Sequence, residues 1–182
     1  MEDQQLMEAV RAGETGRLET LFDRYHGPLR RYFFHLTSDR ATAEDLAQET
    51  FFRILKYRRS YLPETSFRAW LYQVGRNVYH DHARRGKGEV AMPEDTGHLR
   101  SLDAPPDRQV ERMQDSALLR RALAALPGEK REVLVMSRYL DLKYEEIANI
   151  LNCEVGTVKV RVYRALRELS DRFFALRGER AS

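Results

Sequence analysis

The stretch Tyr144–Leu166, YEEIANILNCEVGTVKVRVYRAL, holds two helical patterns separated by a turn. Advancing about 100° per residue from Val158 places Val155, Val162, Ala165, Leu166 and Leu169 within about 80° of it, an apolar stripe. The opposite side carries Gly156, Val160, Tyr163, Arg164 and Arg167, flanked by Thr157, Lys159 and Arg161. In front lies a short helix whose inward positions are Ile147, Ala148 and Leu151. Ala148 is small where two helices cross closely, and Asn152 begins the turn. Asn tolerates the positive φ that such a turn requires better than most residues. The spacing matches a helix-turn-helix whose second helix has its N-terminal end free, as entry into a DNA groove requires.

A charged helix face is ordinarily no more than a solvated one, so the cations alone decide little. Val160 adds information. An apolar residue in the middle of a cationic face is costly when idle, but it fits the methyl group of thymine in the major groove. Lys159 and Arg164 are placed to reach base edges. Arg161 and Arg167 are better placed for phosphates, which position a helix without reading sequence. Thr157 and Tyr163 complete the expected DNA-facing set. Cys153 falls in the turn, where a small buried residue is a simpler reading than a redox switch.

The whole chain supports a partner that is a polyanion. It has 182 residues, 42% hydrophobic and 32% charged, with a net charge of only +3. The distribution matters more than the sum. Phe67–Lys87 holds five bases and one acid, and Glu154–Ser182 holds seven bases and four acids. Between them, Glu89–Asp115 holds seven acids and three bases, while Glu2–Asp23 holds six acids and two bases. Two basic blocks separated by an acidic one suggest two surfaces meeting one polyanion. The single cysteine excludes an internal disulfide, and no Cys/His grouping suggests zinc. The acidic MEDQQLMEAV start is unlike a signal peptide, and no apolar run approaches a membrane span, so a cytosolic protein is expected.

Apolar residues recur at three and four almost throughout, which predicts an all-α protein. Helices are expected over 3–11, 15–36, 40–57, 66–85, 108–125, 129–139, 143–151 and 155–174. Gly86–Pro106 contains three prolines and three glycines and reads as a linker. The expected organisation is therefore an N-terminal helical domain over 1–86, a linker over 87–107, and a C-terminal domain over 108–177.

In the N-terminal half, AEDLAQETFFRILK places Leu46, Ala47, Phe51, Ile54 and Leu55 on one face. Asp45, Gln48, Glu49, Phe52 and Lys56 lie on the other. Phe52 is either packed under a neighbouring helix or an apolar anchor ringed by carboxylates, suited to a basic partner helix. In the following helix, Phe67, Trp70, Leu71, Val74 and Val78 are the expected core positions, with Tyr72 and Tyr79 outside the buried arc. Gln73, Arg76, Asn77, His80 and Arg84 form a stripe on another side. Cations with nearby aromatics suit single-stranded nucleic acid, whose unstacked bases lie against rings. His80-Asp81-His82 is a poor metal site, because residues i and i+2 of a helix point apart by about 200°.

These pieces together resemble the extracytoplasmic-function sigma factors of bacterial RNA polymerase. The resemblance is carried by FDRYHGPLRRYFF, AEDLAQETFFRIL, SFRAWLYQVGRNVYHDHARR and ALPGEKREVLVMSRYLDLKYEEIANILNCEVGTVKVRVYRALREL, in family order. It implies that the Asp45, Gln48, Glu49 and Phe52 surface docks on the clamp helices of the polymerase β′ subunit. It implies that the loop Tyr61–Ser66 and the next helix recognise and melt the −10 element, with a flipped base held by Tyr61, Leu62 and Thr65. It implies that the helix-turn-helix reads the −35 element and meets the β flap. The acidic linker would thread through polymerase near the RNA path, and an external anti-sigma factor would supply regulation. The family often reads GTVKSR where this chain has GTVKVR, so the −35 preference is not transferable at Val160.

The resemblance implies no catalysis and no cofactor. A stand-alone helix-turn-helix regulator, with the first domain as an oligomerisation or sensor unit, is the alternative. A hydrolase built on His80 and His82 lacks ligand spacing, and a helical adaptor without DNA leaves both basic faces unexplained.

Overall fold

The computed structural model describes residues 2–85 and 106–181. The expected linker over 87–107 lies almost entirely outside the described residues. Within them there is no strand, and eight helices follow in order. They are α1 (Asp3–Ala12), α2 (Leu18–Thr37), α3 (Arg40–Lys56), α4 (Phe67–Arg85), α5 (Pro106–Ala124), α6 (Gly128–Leu134), α7 (Tyr144–Leu151) and α8 (Val155–Ala181).

Helix ends follow local chemistry. Gly13 at φ 116° closes α1 and takes a conformation that L side chains avoid. Ser38 at φ 57° ends α2, and Asp39 then caps α3 by accepting from Ala41 N at 3.3 Å and Thr42 N at 2.9 Å. Those bonds hold the Asp39 carboxyl below its usual range, the Thr42 contacts most of all. Helix α2 runs straight through Gly27-Pro28.

In the N-terminal half, α2, α3 and α4 pack around Leu29, Phe33, Ala47, Phe51, Ile54 and Leu71, with α1 laid across one end. Gly75 lets α4 approach α2 closely. A β-carbon there would meet Leu29 Cδ1 and Phe33 Cζ at 3.3 Å. In the C-terminal half, α5 to α8 enclose Leu123, Val133, Met136, Ile147, Val158 and Val162. The segment read as one helix over 129–139 is not uniform. Helix α6 passes into a π-helical turn over Val135–Tyr139, where Leu140 N donates to Val135 O at 3.1 Å. The wider turn accompanies six successive buried residues, Glu132, Val133, Leu134, Val135, Met136 and Ser137, which a regular helix face could not supply.

The two halves meet. Helix α4 packs on α7, and α2 packs on the π turn. The core is continuous across them.

Candidate nucleic-acid and protein interfaces

The C-terminal motif follows the geometry read from its sequence. Asn152 sits at φ 49°, ψ 54°, in the left-handed region, and ends α7. Cys153 N donates back to Ala148 O at 3.0 Å, beside the Asn152 N–H that the same carbonyl accepts, and so closes the last turn of α7. Lys143 N donates to Glu146 Oε2 at 2.9 Å at the other end of α7. Val158, Val162 and Ala165 are buried against Ile147, Ala148 and Ile150. Ile150, not Leu151, is the third inward position of α7; Leu151 is half-buried.

This packing turns one side of α8 wholly outward. Thr157, Lys159, Val160, Arg161, Tyr163, Arg164 and Arg167 are all exposed, with Val160 at 48% and Tyr163 at 66%. Among the described residues no ion pair occupies Lys159, Arg161, Arg164 or Arg167. The nearby acid, Glu168, is engaged elsewhere. Lys130 donates to it, Arg172 Nη2 donates at 2.8 Å, and both keep its carboxyl below the usual range.

On α3 the structure separates the two readings of Phe52. Its ring is 60% exposed, with Asp45 and Gln48 exposed and Glu49 half-buried on the same side. Glu49 accepts from Arg53 Nε at 2.7 Å, and Arg53 Nη1 donates to Asp81 at 2.6 Å. That chain fixes α3 against α4. Asp81 also accepts from Arg84, and both arginines hold its carboxyl below the usual range. The Arg84 guanidinium is thus paired through Nη2 while the side chain remains exposed.

The loop before α4 departs from expectation at one residue. Tyr61 is fully buried, its hydroxyl donating to Thr65 O at 2.8 Å and its ring 5.2 Å from that of Trp70. It braces the loop from inside and presents no surface to a base. Leu62, 57% exposed, and Thr65 do face outward, and Thr65 Oγ1 pins the turn by donating to Leu62 O at 2.7 Å.

Helix α4 is buried on more sides than its own periodicity indicates. Tyr72, expected outside the buried arc, is 1% exposed, packed edge-on to Tyr32 at 5.5 Å; burial pushes its hydroxyl up to about 12. Tyr79 is half-buried. Trp70 and Val74 are partly rather than fully covered. Both tyrosines face chain that is distant in sequence, which a helical wheel cannot represent.

The stripe itself is divided. Gln73, Asn77 and Arg84 are exposed. Arg76 and His80 instead turn to Glu132 of α6, at 3.2 Å and 3.4 Å. Tyr32 donates to the same carboxylate at 3.4 Å. Gln73, Thr65 and Trp70 line a crevice whose other wall is Asn149, Asn152 and Cys153. Glu132 escaped notice in the sequence, although one signal was present: an acid three and four residues before Val135 and Met136, on an apolar face. His82 is exposed while His80 faces Glu132, so the two imidazoles diverge.

Comparison with known proteins identifies the family. The family description "Sigma-70 region 2" matches residues 21–89, and "Sigma-70, region 4" matches residues 116–169. The chain is 35% identical over 144 residues to the ECF RNA polymerase sigma factor SigE of Mycolicibacterium smegmatis, covering 78% of this chain and 55% of that longer protein. It is 31% identical over 154 residues to the ECF RNA polymerase sigma factor SigM of Bacillus subtilis, covering 84% of this chain and 92% of that one. The solved structure of the sigma factor RpoE in complex with the anti-sigma factor NepR from Bartonella quintana shares the fold, with TM-score 0.67 at 24% identity over 85% of this chain and 94% of that one. With both conserved regions in order, the outward α8 face and the acid-ringed Phe52, the chain belongs to the extracytoplasmic-function group of the sigma-70 family, the transcription initiation factors of bacterial RNA polymerase.

Proposed function

We propose that residues 1–86 bind core polymerase and the melted −10 element, that residues 108–177 read the −35 duplex and meet the β flap, and that 87–107 connect them. The single observation that carries the polymerase assignment is Phe52, a large ring left in water amid Asp45, Gln48 and Glu49. A stand-alone regulator has no use for that surface. A basic helix pair such as the β′ clamp helices fits it, with the ring as apolar anchor and the carboxylates as rim.

On DNA, Lys159, Val160 and Arg164 read base edges, Arg161 and Arg167 hold phosphates, and Thr157 and Tyr163 flank them. At the −10 element, Leu62 and Thr65 form the outward lip of the base pocket, and buried Tyr61 fixes its shape. Gln73, Arg76, Asn77, His80 and Arg84 track the displaced strand. The factor catalyses nothing. It stabilises the unstacked strand relative to the duplex and so shifts the melting equilibrium. The complex of RpoE with the anti-sigma factor NepR supports the same class of partner here, an anti-sigma factor.

Run-off transcription with core polymerase tests this reading. Phe52→Ala, at a solvent-exposed position, should leave the fold intact and weaken core binding by about 2–4 kcal/mol. Full initiation by Phe52→Ala, or duplex binding with no polymerase dependence, would favour the stand-alone regulator.

A further inference from the structure

Glu132 is 2% exposed, yet it is a carboxylate, and a buried charge is sustained only by partners. All the partners of its carboxylate come from the other half of the chain. Arg76 and His80 reach it from α4 and Tyr32 from α2. Around it, Arg131 Nη1 donates to Leu36 O at 2.7 Å, Arg68 donates to Leu140 O, and the His35 and Tyr139 rings meet at a 35° tilt with centroids 3.9 Å apart. The halves are joined by matched polar groups at several points, centred on one acid.

Arg76 and His80 also belong to the cationic stripe assigned above to the displaced strand. In place of an anionic backbone, Arg76 Nε donates to the Glu132 carboxylate at 3.2 Å, with His80 Nε2 lying 3.4 Å from it. Asn149 and Asn152 of the helix-turn-helix form the opposite wall of the crevice lined by Thr65, Trp70 and Gln73. We propose that Glu132 is an internal phosphate mimic, and that this closed conformation masks the single-strand face of the N-terminal domain until the halves separate. The inference rests on the −10 assignment of α4. A strand phosphate and the Glu132 carboxylate then compete for the Arg76 guanidinium, and binding of one requires release of the other.

The test uses the full chain without polymerase. Affinity for a fluorescein-labelled, 12-nucleotide deoxyoligonucleotide is measured beside the radius of gyration from small-angle scattering. Glu132→Gln keeps the side-chain shape and removes the anion. Glu129→Gln, at an exposed position on the same helix, makes the same change in net charge and serves as the control. The expected result is an expanded Glu132→Gln protein that binds the oligonucleotide about tenfold more tightly than wild type, with Glu129→Gln near wild type. Should Glu132→Gln melt prematurely by circular dichroism, the wild-type chain must itself expand at saturating oligonucleotide. Expansion without tighter binding would overturn the masking and with it the −10 assignment of the stripe. A compact Glu132→Gln protein of unchanged affinity would overturn the latch alone, because Asn77→Ala would still lower initiation on a pre-melted promoter if the −10 assignment holds.

Discussion

Helices α4 and α8 are both long, basic and amphipathic, and their sequences invite the same reading. Their surroundings differ. Helix α8 contacts its own half along one stripe and leaves Lys159, Val160, Arg161, Arg164 and Arg167 in solvent. Helix α4 is held by α3 through Arg53 and Asp81, by α2 through Gly75 and Tyr72, and by α6 through Arg76 and His80. A cation off the local core is free in one case and already satisfied in the other. Periodicity identifies which face a helix turns away from its own core, and tertiary contacts decide whether that face is available.

The contrast is sharpest in stability. Arg76→Ala strips the main cation from buried Glu132 and should destabilise the protein by about 3 kcal/mol. Arg164→Ala should change stability by no more than about 0.5 kcal/mol. Equal denaturant midpoints for the two variants would erase the distinction. In transcription the order reverses for the −35 element. Arg164→Ala should weaken −35-dependent initiation on the order of 1–3 kcal/mol, and an unchanged −35 preference would remove its role as a base reader. Packing provides a third comparison. Gly75→Val forces a side chain between Leu29 and Phe33 and should cost about 2 kcal/mol. Gly156→Ala on α8, where nothing lies within 4 Å, should be neutral or slightly stabilising by thermal melting.

The smallest effect concerns the contact between the halves. Burial, and then Arg120 and Arg31, lower the His35 imidazole from 6.5 to about 4. The unfolded chain therefore takes up this proton first as pH falls, and stability is lost between about pH 6.5 and 4. His35 is partly exposed, so a loss on the order of 1 kcal/mol is expected. His35→Gln should flatten that part of the pH–stability curve; an identical slope in the variant would mean other groups carry it.

The helices, the left-handed Asn152 and the outward α8 face were legible because each follows from residues close in sequence. A turn residue must satisfy its own φ, and a stripe at spacings of three and four needs only one helix. Phe52 could be located but not decided, since exposure depends on what lies over α3. Tyr72 and Glu132 were misread or missed because each is buried by contacts that a local pattern does not contain, whereas Tyr61 lies in a loop, where no periodicity marks the inward side. Tyr61 is capped by Thr65 and Trp70, Tyr72 by Tyr32, and Glu132 by groups more than fifty positions away. The π turn at Val135–Tyr139 was invisible too, because its apolar run suits an ordinary helix equally well.

The Phe52 ring has a colloidal consequence. At high ionic strength the carboxylates around this exposed ring are screened and no longer hold a second copy of the chain away from it. Concentrated preparations at high salt should then self-associate through α3 well below the temperature at which the fold is lost, and Phe52→Ala should stay dispersed under the same conditions.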